Sequence, residues 1–287
     1  MLQNNAPSIQ RLSAAKEFIF LERSATEIAY AKWGSGPPIA CLHATGHGSG
    51  DFIPLAKKLA SDFTIFALDW PGQGLSPDDG FAPEARHYAD LIDEFISLLK
   101  IPAPILLGNS IGGAAAIIAV SRDDNKFRGL VICNAGGLAS IDLAARIVIR
   151  AMARFFELGA KGAWWYETSF SFYYKYLVLP GARDRAEEIV TAGKDLASLL
   201  AKTWAGFARD EADIRSAVPS IRTPVWAAWA KSDRLVSWSR SSTTVALFPN
   251  HTVDLFAGGH SPFLESTNTF AAGLHYFASS LNSNEST

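Results

Sequence analysis

The sequence has few of the groups that would indicate metal, redox or nucleic-acid chemistry. It contains two cysteines in 287 residues. Both, Cys41 and Cys133, lie in predicted buried strands, where a thiol behaves as a small apolar group. No metal-ligand or redox spacing is present, so we expect no metal and no cofactor. The net charge of −2 provides no basic face for a phosphate backbone, which argues against nucleic acid as a partner.

Long apolar runs are also absent. No stretch of about 18 or more uninterrupted apolar residues occurs, so we expect no transmembrane span. Residues 1–7 lack a basic region followed by an apolar one, so we expect no secretory signal, and the cytoplasm is the expected compartment. Hydrophobic residues make up 48% and charged residues 19% of the chain, which predicts a globular protein with a large core.

Apolar segments with the character of strands alternate with predicted helices along most of the chain. The eight predicted strands are 18–21, 28–31, 38–42, 63–68, 104–107, 130–133, 225–230 and 252–256. The first two are predicted to be antiparallel. The alternation elsewhere predicts a mostly parallel sheet covered by helices on both faces.

The alternation stops between about residues 141 and 216, where the sequence predicts helices only and is rich in aromatic residues. The best interpretation is an inserted helical cap of residues 140–216 on a core domain of residues 1–139 and 217–287. Binding pockets for small apolar molecules are lined by aromatic side chains. The cap aromatics Trp164, Trp165 and Tyr173 are therefore candidate substrate-binding residues, although each could serve only to pack the cap on the core.

The segment Gly108-Asn109-Ser110-Ile111-Gly112 lies between a predicted buried strand and a predicted helix. A serine between two glycines at such a junction is typical of a nucleophile elbow. A side chain two residues before or after the serine would collide with neighbouring backbone, which glycine avoids. Ser110 is therefore the candidate nucleophile, and its neighbour Asn109 is a candidate substrate-binding residue.

A serine hydroxyl needs a base, and the usual base is a histidine held by an acid. His260 and Asp233 each follow a predicted strand, so both should lie at the carboxyl edge of the sheet with Ser110. The chain order serine, aspartate, histidine is that of α/β-hydrolases. Asp69 also ends a strand, but an aspartate in such a loop more often binds the backbone N–H groups of its own turn.

Attack on a carbonyl creates a negative oxygen that needs preorganised donors. One predicted donor is the backbone N–H of Ile111, at the N-terminus of a helix. The second should come from the loop after strand 38–42, where the N–H of Thr45 is the best candidate. The glycine-rich loop could also be only a tight connection.

Together these residues resemble the α/β-hydrolase superfamily. The motifs that carry the resemblance are His43-Ala44-Thr45, residues 69–76 (Asp-Trp-Pro-Gly-Gln-Gly-Leu-Ser), Gly108–Gly113, Ser232-Asp233 and Gly259-His260. The resemblance spans about residues 25 to 280. It implies an α/β fold with a mostly parallel eight-stranded sheet, flanking helices and an inserted helical cap.

The resemblance also implies an activity. We expect a serine hydrolase that cleaves carboxylic esters of apolar or aromatic small molecules. The Gly-Asn-Ser-x-Gly-Gly elbow is also similar to that of meta-cleavage-product hydrolases, which cut C–C bonds in ketone substrates. Those enzymes usually have tryptophan after the catalytic histidine, where this chain has Ser261. A ligand-binding protein with a hydrolase fold is the non-enzymatic alternative, and a homo-oligomer is possible.

Overall fold

An eight-stranded sheet forms the centre of the computed structural model, which describes residues 16–283. The strands are β1 (Glu17–Leu21), β2 (Thr26–Trp33), β3 (Pro38–Leu42), β4 (Thr64–Leu68), β5 (Ile105–Asn109), β6 (Gly129–Cys133), β7 (Val225–Ala230) and β8 (His251–Phe256). Their order across the sheet is β1-β2-β4-β3-β5-β6-β7-β8. β2 is antiparallel to β1 and to β4, and the other neighbouring pairs are parallel. The predicted eight-stranded, mostly parallel sheet is confirmed.

Helices cover both faces of this sheet, and four of them occur in the chain segment between β6 and β7. They are α1 (Ile53–Leu59), α2 (Ala85–Leu98), α3 (Ile111–Arg122), α4 (Leu143–Ala160), α5 (Tyr166–Tyr173), α6 (Arg183–Thr191), α7 (Gly193–Phe207), α8 (Trp238–Val245), α9 (Pro262–Glu265) and α10 (Thr267–Ser283). The single helix predicted near 263–281 is in fact two, α9 and α10, because the backbone leaves the helical region at Ser266.

The core consists of two layers because neighbouring residues of a strand point to opposite faces. In β3, Ala40 and Leu42 pack with α2 and α3, whereas Ile39 and Cys41 pack with α1 and α10. All four side chains are fully buried. β3 is therefore apolar throughout, as expected of a strand covered on both faces.

The segment between β6 and β7 carries α4 to α7, and we call residues 143–207 the helical insertion. It contains its own apolar cluster, which includes Phe156, Tyr166 and Phe170. A single π-helical turn, Tyr174–Val178, follows α5. Within the described residues no strand occurs between 134 and 224, in agreement with the predicted loss of alternation. The division into a core and a cap stays a prediction.

The remaining expectations concern membrane insertion, cellular location and oligomeric state. No helix within residues 16–283 combines the length and the apolar character that crossing a membrane requires. Residues 1–7, on which the expectation about a secretory signal depends, lie outside the described residues. The cytoplasmic location and the possible homo-oligomer stay predictions.

Candidate active site

Ser110 occupies the sharp turn between β5 and α3. Its backbone has φ 56° and ψ −117°, a strained conformation that non-glycine residues rarely adopt. Such strained residues are concentrated at functional sites. Two hydrogen bonds hold Ser110 in this conformation. The Ser110 N–H donates to the Cys133 carbonyl, and the Gly136 N–H donates to the Ser110 carbonyl, both at 3.0 Å. The turn is therefore tied to the end of β6.

The glycines around the serine are required by close backbone contacts. A Cβ on Gly108 would lie 2.4 Å from the carbonyl oxygen of Gly112. A Cβ on Gly112 would lie 2.4 Å from the carbonyl oxygen of Leu42 in β3. Both distances are far inside van der Waals contact, so the predicted collision of larger side chains is confirmed.

His260 and Asp233 meet at the carboxyl edge of the sheet. His260 Nδ1 lies 2.8 Å from Asp233 Oδ2, and the two residues are 3% and 6% exposed. Asp233 Oδ1 accepts the N–H groups of Leu235 at 2.7 Å and Val236 at 3.1 Å. Asn134 Nδ2 donates to Asp233 Oδ2 at 2.5 Å. The carboxylate is thus surrounded by donors, and its orientation is fixed.

The charge of Asp233 changes the basicity of His260. Burial lowers the pKa of the imidazole, but the adjacent Asp233 carboxylate outweighs burial and Glu265 adds to it, so the pKa is raised above its ordinary value. A raised pKa makes the ring a better proton acceptor. Because the carboxylate only accepts hydrogen bonds, the proton of a neutral ring is on Nδ1, and Nε2 is free to take another.

Ser110 and His260 line one cavity of about 510 Å³ between the sheet edge and the helical insertion. Thr45, Ile111 and Tyr173 line the same cavity. Among the described residues, no hydrogen bond joins Ser110 Oγ to His260 Nε2. Both side chains therefore line the same cavity without a hydrogen bond between them. In enzymes without bound substrate, catalytic hydrogen bonds are often long or poorly aligned.

The two predicted oxyanion donors, Thr45 and Ile111, both reach this cavity. Their backbone N–H groups donate to no other residue within 16–283. The N–H of Ile111 is also the first of α3, where the helix dipole favours negative charge. A developing oxyanion requires unpaired donors of this kind, and both residues line the cavity that Ser110 lines.

The predicted substrate-binding residues differ in where they lie. Tyr173 lines the cavity. Trp164 is 92% exposed, and Trp165 packs on Phe155 inside the insertion. Neither tryptophan lines the cavity, because Trp164 faces solvent and Trp165 packs against the insertion's own apolar cluster.

Asn109 also differs from the expectation, because it is fully buried and does not line the cavity. Its Nδ2 donates to the carbonyls of Cys133 and His260, each at 3.0 Å. Its Oδ1 accepts from Ser261 Oγ at 2.8 Å. We therefore correct its assignment from a substrate contact to a residue that joins the serine turn to the histidine loop.

Asp69 binds the backbone of its own loop, as the sequence predicts. Its carboxylate accepts the N–H of Leu75 at 2.9 Å and that of Ser49 at 2.6 Å, and it pairs with Lys16. It does not contact His260. Within the described residues, no three side chains of the metal-ligating types come together.

The sequence did not predict the role of Asn134. Its side chain is fully buried, and its Oδ1 accepts the N–H of Ala230 at 3.0 Å while its Nδ2 binds Asp233. The available signal was its position: Asn134 directly follows β6, at the one other strand end from which an acid could reach the histidine.

Comparison with known proteins gives one family and several relatives. The sequence model described as "Alpha/beta hydrolase family" matches residues 39–272. A pimeloyl-(acyl-carrier protein) methyl ester esterase of Xanthomonas campestris pv. campestris (strain B100) is 27% identical over 260 residues, which cover 86% of this chain and 97% of that protein. The enzyme of the same name from Stenotrophomonas maltophilia (strain K279a) is 27% identical over 262 residues, with 86% and 95% covered.

Solved structures show the same fold. A thermophilic esterase from Thermogutta terrifontis superposes with a TM-score of 0.77 at 15% identity, covering 93% of this chain and 99% of that chain. The esterase EaEST from Exiguobacterium antarcticum superposes with a TM-score of 0.78 at 17% identity, covering 92% and 100%. At such low identities these likenesses concern the fold alone.

Proposed function

The chain belongs to the alpha/beta hydrolase family, and on that basis we propose that it hydrolyses carboxylic esters through an acyl-enzyme on Ser110. In this proposal Ser110 is the nucleophile, His260 the general base and acid, and Asp233 the group that orients His260. The observation that carries it is the His260–Asp233 hydrogen bond of 2.8 Å at the wall of the cavity that Ser110 also lines.

The proposed reaction follows from these positions. As Ser110 Oγ attacks the ester carbonyl, its proton passes to His260 Nε2, and the carbonyl electron pair moves onto the oxygen. The N–H groups of Thr45 and Ile111 stabilise that oxyanion. When the tetrahedral intermediate collapses, His260 returns the proton to the leaving alkoxide and the alcohol departs. Water, deprotonated by His260, then attacks the acyl-enzyme. The bond between the acyl carbon and Ser110 Oγ breaks, Oγ takes the proton back from His260, and the acid is released.

The cavity wall supports an apolar substrate. Apart from the reactive groups, side chains of the helical insertion form much of it, among them Phe156, Tyr173 and Trp204. Such walls bind small apolar or aromatic groups by excluding water. We propose that the insertion acts as a cap over the site. The Xanthomonas relative is named for a methyl ester, which is compatible with an ester substrate here.

The decisive test is covalent labelling with a fluorophosphonate, which modifies activated serines. We expect stoichiometric modification of Ser110, none in Ser110→Ala, and strongly reduced labelling in His260→Ala. A folded wild-type protein that stays unlabelled would contradict the enzymatic proposal and favour a ligand-binding protein.

The bond type is tested separately with short and long p-nitrophenyl esters beside a meta-cleavage dienoate ketone. We expect hydrolysis of the esters. Cleavage of the dienoate alone would assign the protein to C–C bond hydrolysis instead. The same serine, histidine and aspartate could hydrolyse either an ester or a C–C bond. Labelling of the serine therefore does not distinguish the two reactions, whereas this comparison of substrates does.

A further inference from the structure

Two buried polar side chains on the cavity wall have no role in the reaction proposed above. His47 is 4% exposed and Tyr174 is 2% exposed, and both line the cavity that Ser110 lines. Their rings lie next to each other, with centroids 5.7 Å apart. His47 is two residues after Thr45, the proposed oxyanion donor, and Tyr174 packs against His47 from the helical insertion.

His47 is held by a hydrogen bond to a buried carboxylate. Its Nδ1 lies 2.6 Å from Asp51 Oδ2, and Arg185 Nε of α6 donates to Asp51 Oδ1 at 2.7 Å. Burial opposes the charge on Asp51, but His47 and Arg185 outweigh it and hold the pKa of that carboxyl well below its usual range. An ionised carboxylate only accepts hydrogen bonds, so His47 Nδ1 donates in this contact, and Nε2 is the ring nitrogen left for another partner.

Tyr174 supplies the second polar group. Burial raises the pKa of its phenol well above the ordinary value, so the hydroxyl stays neutral and can donate. A Cβ on Gly46 would lie 3.0 Å from Tyr174 Oη, which places the phenol against the loop between Thr45 and His47. Neither His47 Nε2 nor Tyr174 Oη makes a hydrogen bond to another residue within 16–283.

Polar side-chain atoms on a cavity wall that have no protein partner are available to hydrogen-bond a ligand. An imidazole nitrogen and a phenol hydroxyl on adjacent rings of the cavity wall match a ligand hydroxyl, which can both donate and accept a hydrogen bond. We propose that His47 and Tyr174 form a polar subsite that binds a hydroxyl group of the substrate close to the ester carbonyl. This inference rests on the proposed function in one respect: the ligand is taken to be an ester because the protein is proposed to be an ester hydrolase.

The subsite can be tested by binding, without turnover. Three amides resist hydrolysis and differ by one hydroxyl: N-ethylbutyramide, N-ethyl-3-hydroxybutyramide and N-(2-hydroxyethyl)butyramide. Calorimetric titration of Ser110→Ala protein should show one hydroxylated amide binding about tenfold tighter than N-ethylbutyramide, since a site built for a hydroxyl rejects analogues that lack it. Which amide gains shows whether the hydroxyl belongs to the acyl or the alcohol side.

Variants assign the preference to the two side chains. Adding Tyr174→Phe, which removes one oxygen, should reduce the preference to about twofold or less, and adding His47→Gln should also reduce it. Tyr166→Phe is the matched control, because that phenol donates to the Gly193 carbonyl inside the insertion and does not line the cavity. It should keep the full preference.

Two results would overturn the subsite: equal affinity for all three amides, or a preference that survives both the Tyr174→Phe and the His47→Gln change. Neither depends on activity. Failure of Ser110 to react with a fluorophosphonate would instead contradict the proposed hydrolase and leave the binding result standing.

Discussion

Replacing Asp233 with asparagine changes one atom and should remove most of the activity. The Asp233 carboxylate accepts four hydrogen bonds. Oδ1 accepts the N–H groups of Leu235 and Val236, and Oδ2 accepts from Asn134 Nδ2 and His260 Nδ1. An asparagine can offer only one oxygen. If that oxygen stays with the two backbone N–H groups, its NH₂ faces the NH₂ of Asn134 and the ring nitrogen of His260.

The consequence is a change of tautomer. With an amide N–H opposite Nδ1, the neutral imidazole places its own proton on Nε2, where the base must be empty. Loss of the correct tautomer in a serine–histidine–aspartate arrangement lowers kcat by about 10⁴-fold. This corresponds to about 5.5 kcal/mol of lost transition-state stabilisation, at about 1.4 kcal/mol for each factor of ten. We expect a drop of that order in Asp233→Asn.

The assay is p-nitrophenyl butyrate hydrolysis at neutral pH, with circular dichroism and a thermal melt to show that the variant is folded. Asp124→Asn is the matched control, because Asp124 also accepts two backbone N–H groups, from Arg222 and Thr223, and does not line the cavity. A folded Asp233→Asn protein that keeps more than a tenth of wild-type kcat would refute the reasoning.

Three further outcomes follow from the structure. Glu265→Gln removes a negative charge that raises the His260 pKa, so the acid limb of the kcat/KM profile should move to lower pH. Gly112→Ala sets a Cβ against the Leu42 carbonyl and should destabilise the fold by about 1–3 kcal/mol in urea unfolding. The pKa of Asp51 is lowered in the folded protein, so its ionised form stabilises the fold. We therefore expect wild type to melt at a higher Tm than Asp51→Asn by a constant amount above about pH 4, and by a smaller amount as the pH falls further.

The serine turn and its partners could be predicted from the sequence because each depends on local rules. The glycines at 108 and 112 are forced by backbone contacts within one strand-turn-helix unit. His260 and Asp233 could be placed because parallel strands bring their carboxyl ends to one edge. Such arguments need the order of elements along the chain and no knowledge of how distant side chains pack.

The residues that were misplaced depend on packing between elements. Trp164 lies just before α5 and is 92% exposed, and the local sequence does not reveal which aromatic side chains of the insertion face the cavity. The roles of Asn109 and Asn134 depend on partners 151 and 99 residues away in the chain. The local sequence places Asn134 at the end of a strand, but it does not reveal these distant partners.

The two buried asparagines explain how segments distant in sequence stay in register at the site. Each amide donates and accepts at once, which neither a carboxylate nor an alkyl side chain can do. Asn134 spans Ala230 and Asp233; a carboxylate in its place would put a second negative charge 2.5 Å from the first. Asn109 joins His260 to the serine turn and needs the hydroxyl of Ser261 as its donor. Ser261, where C–C hydrolases usually have tryptophan, is therefore part of the support for the histidine.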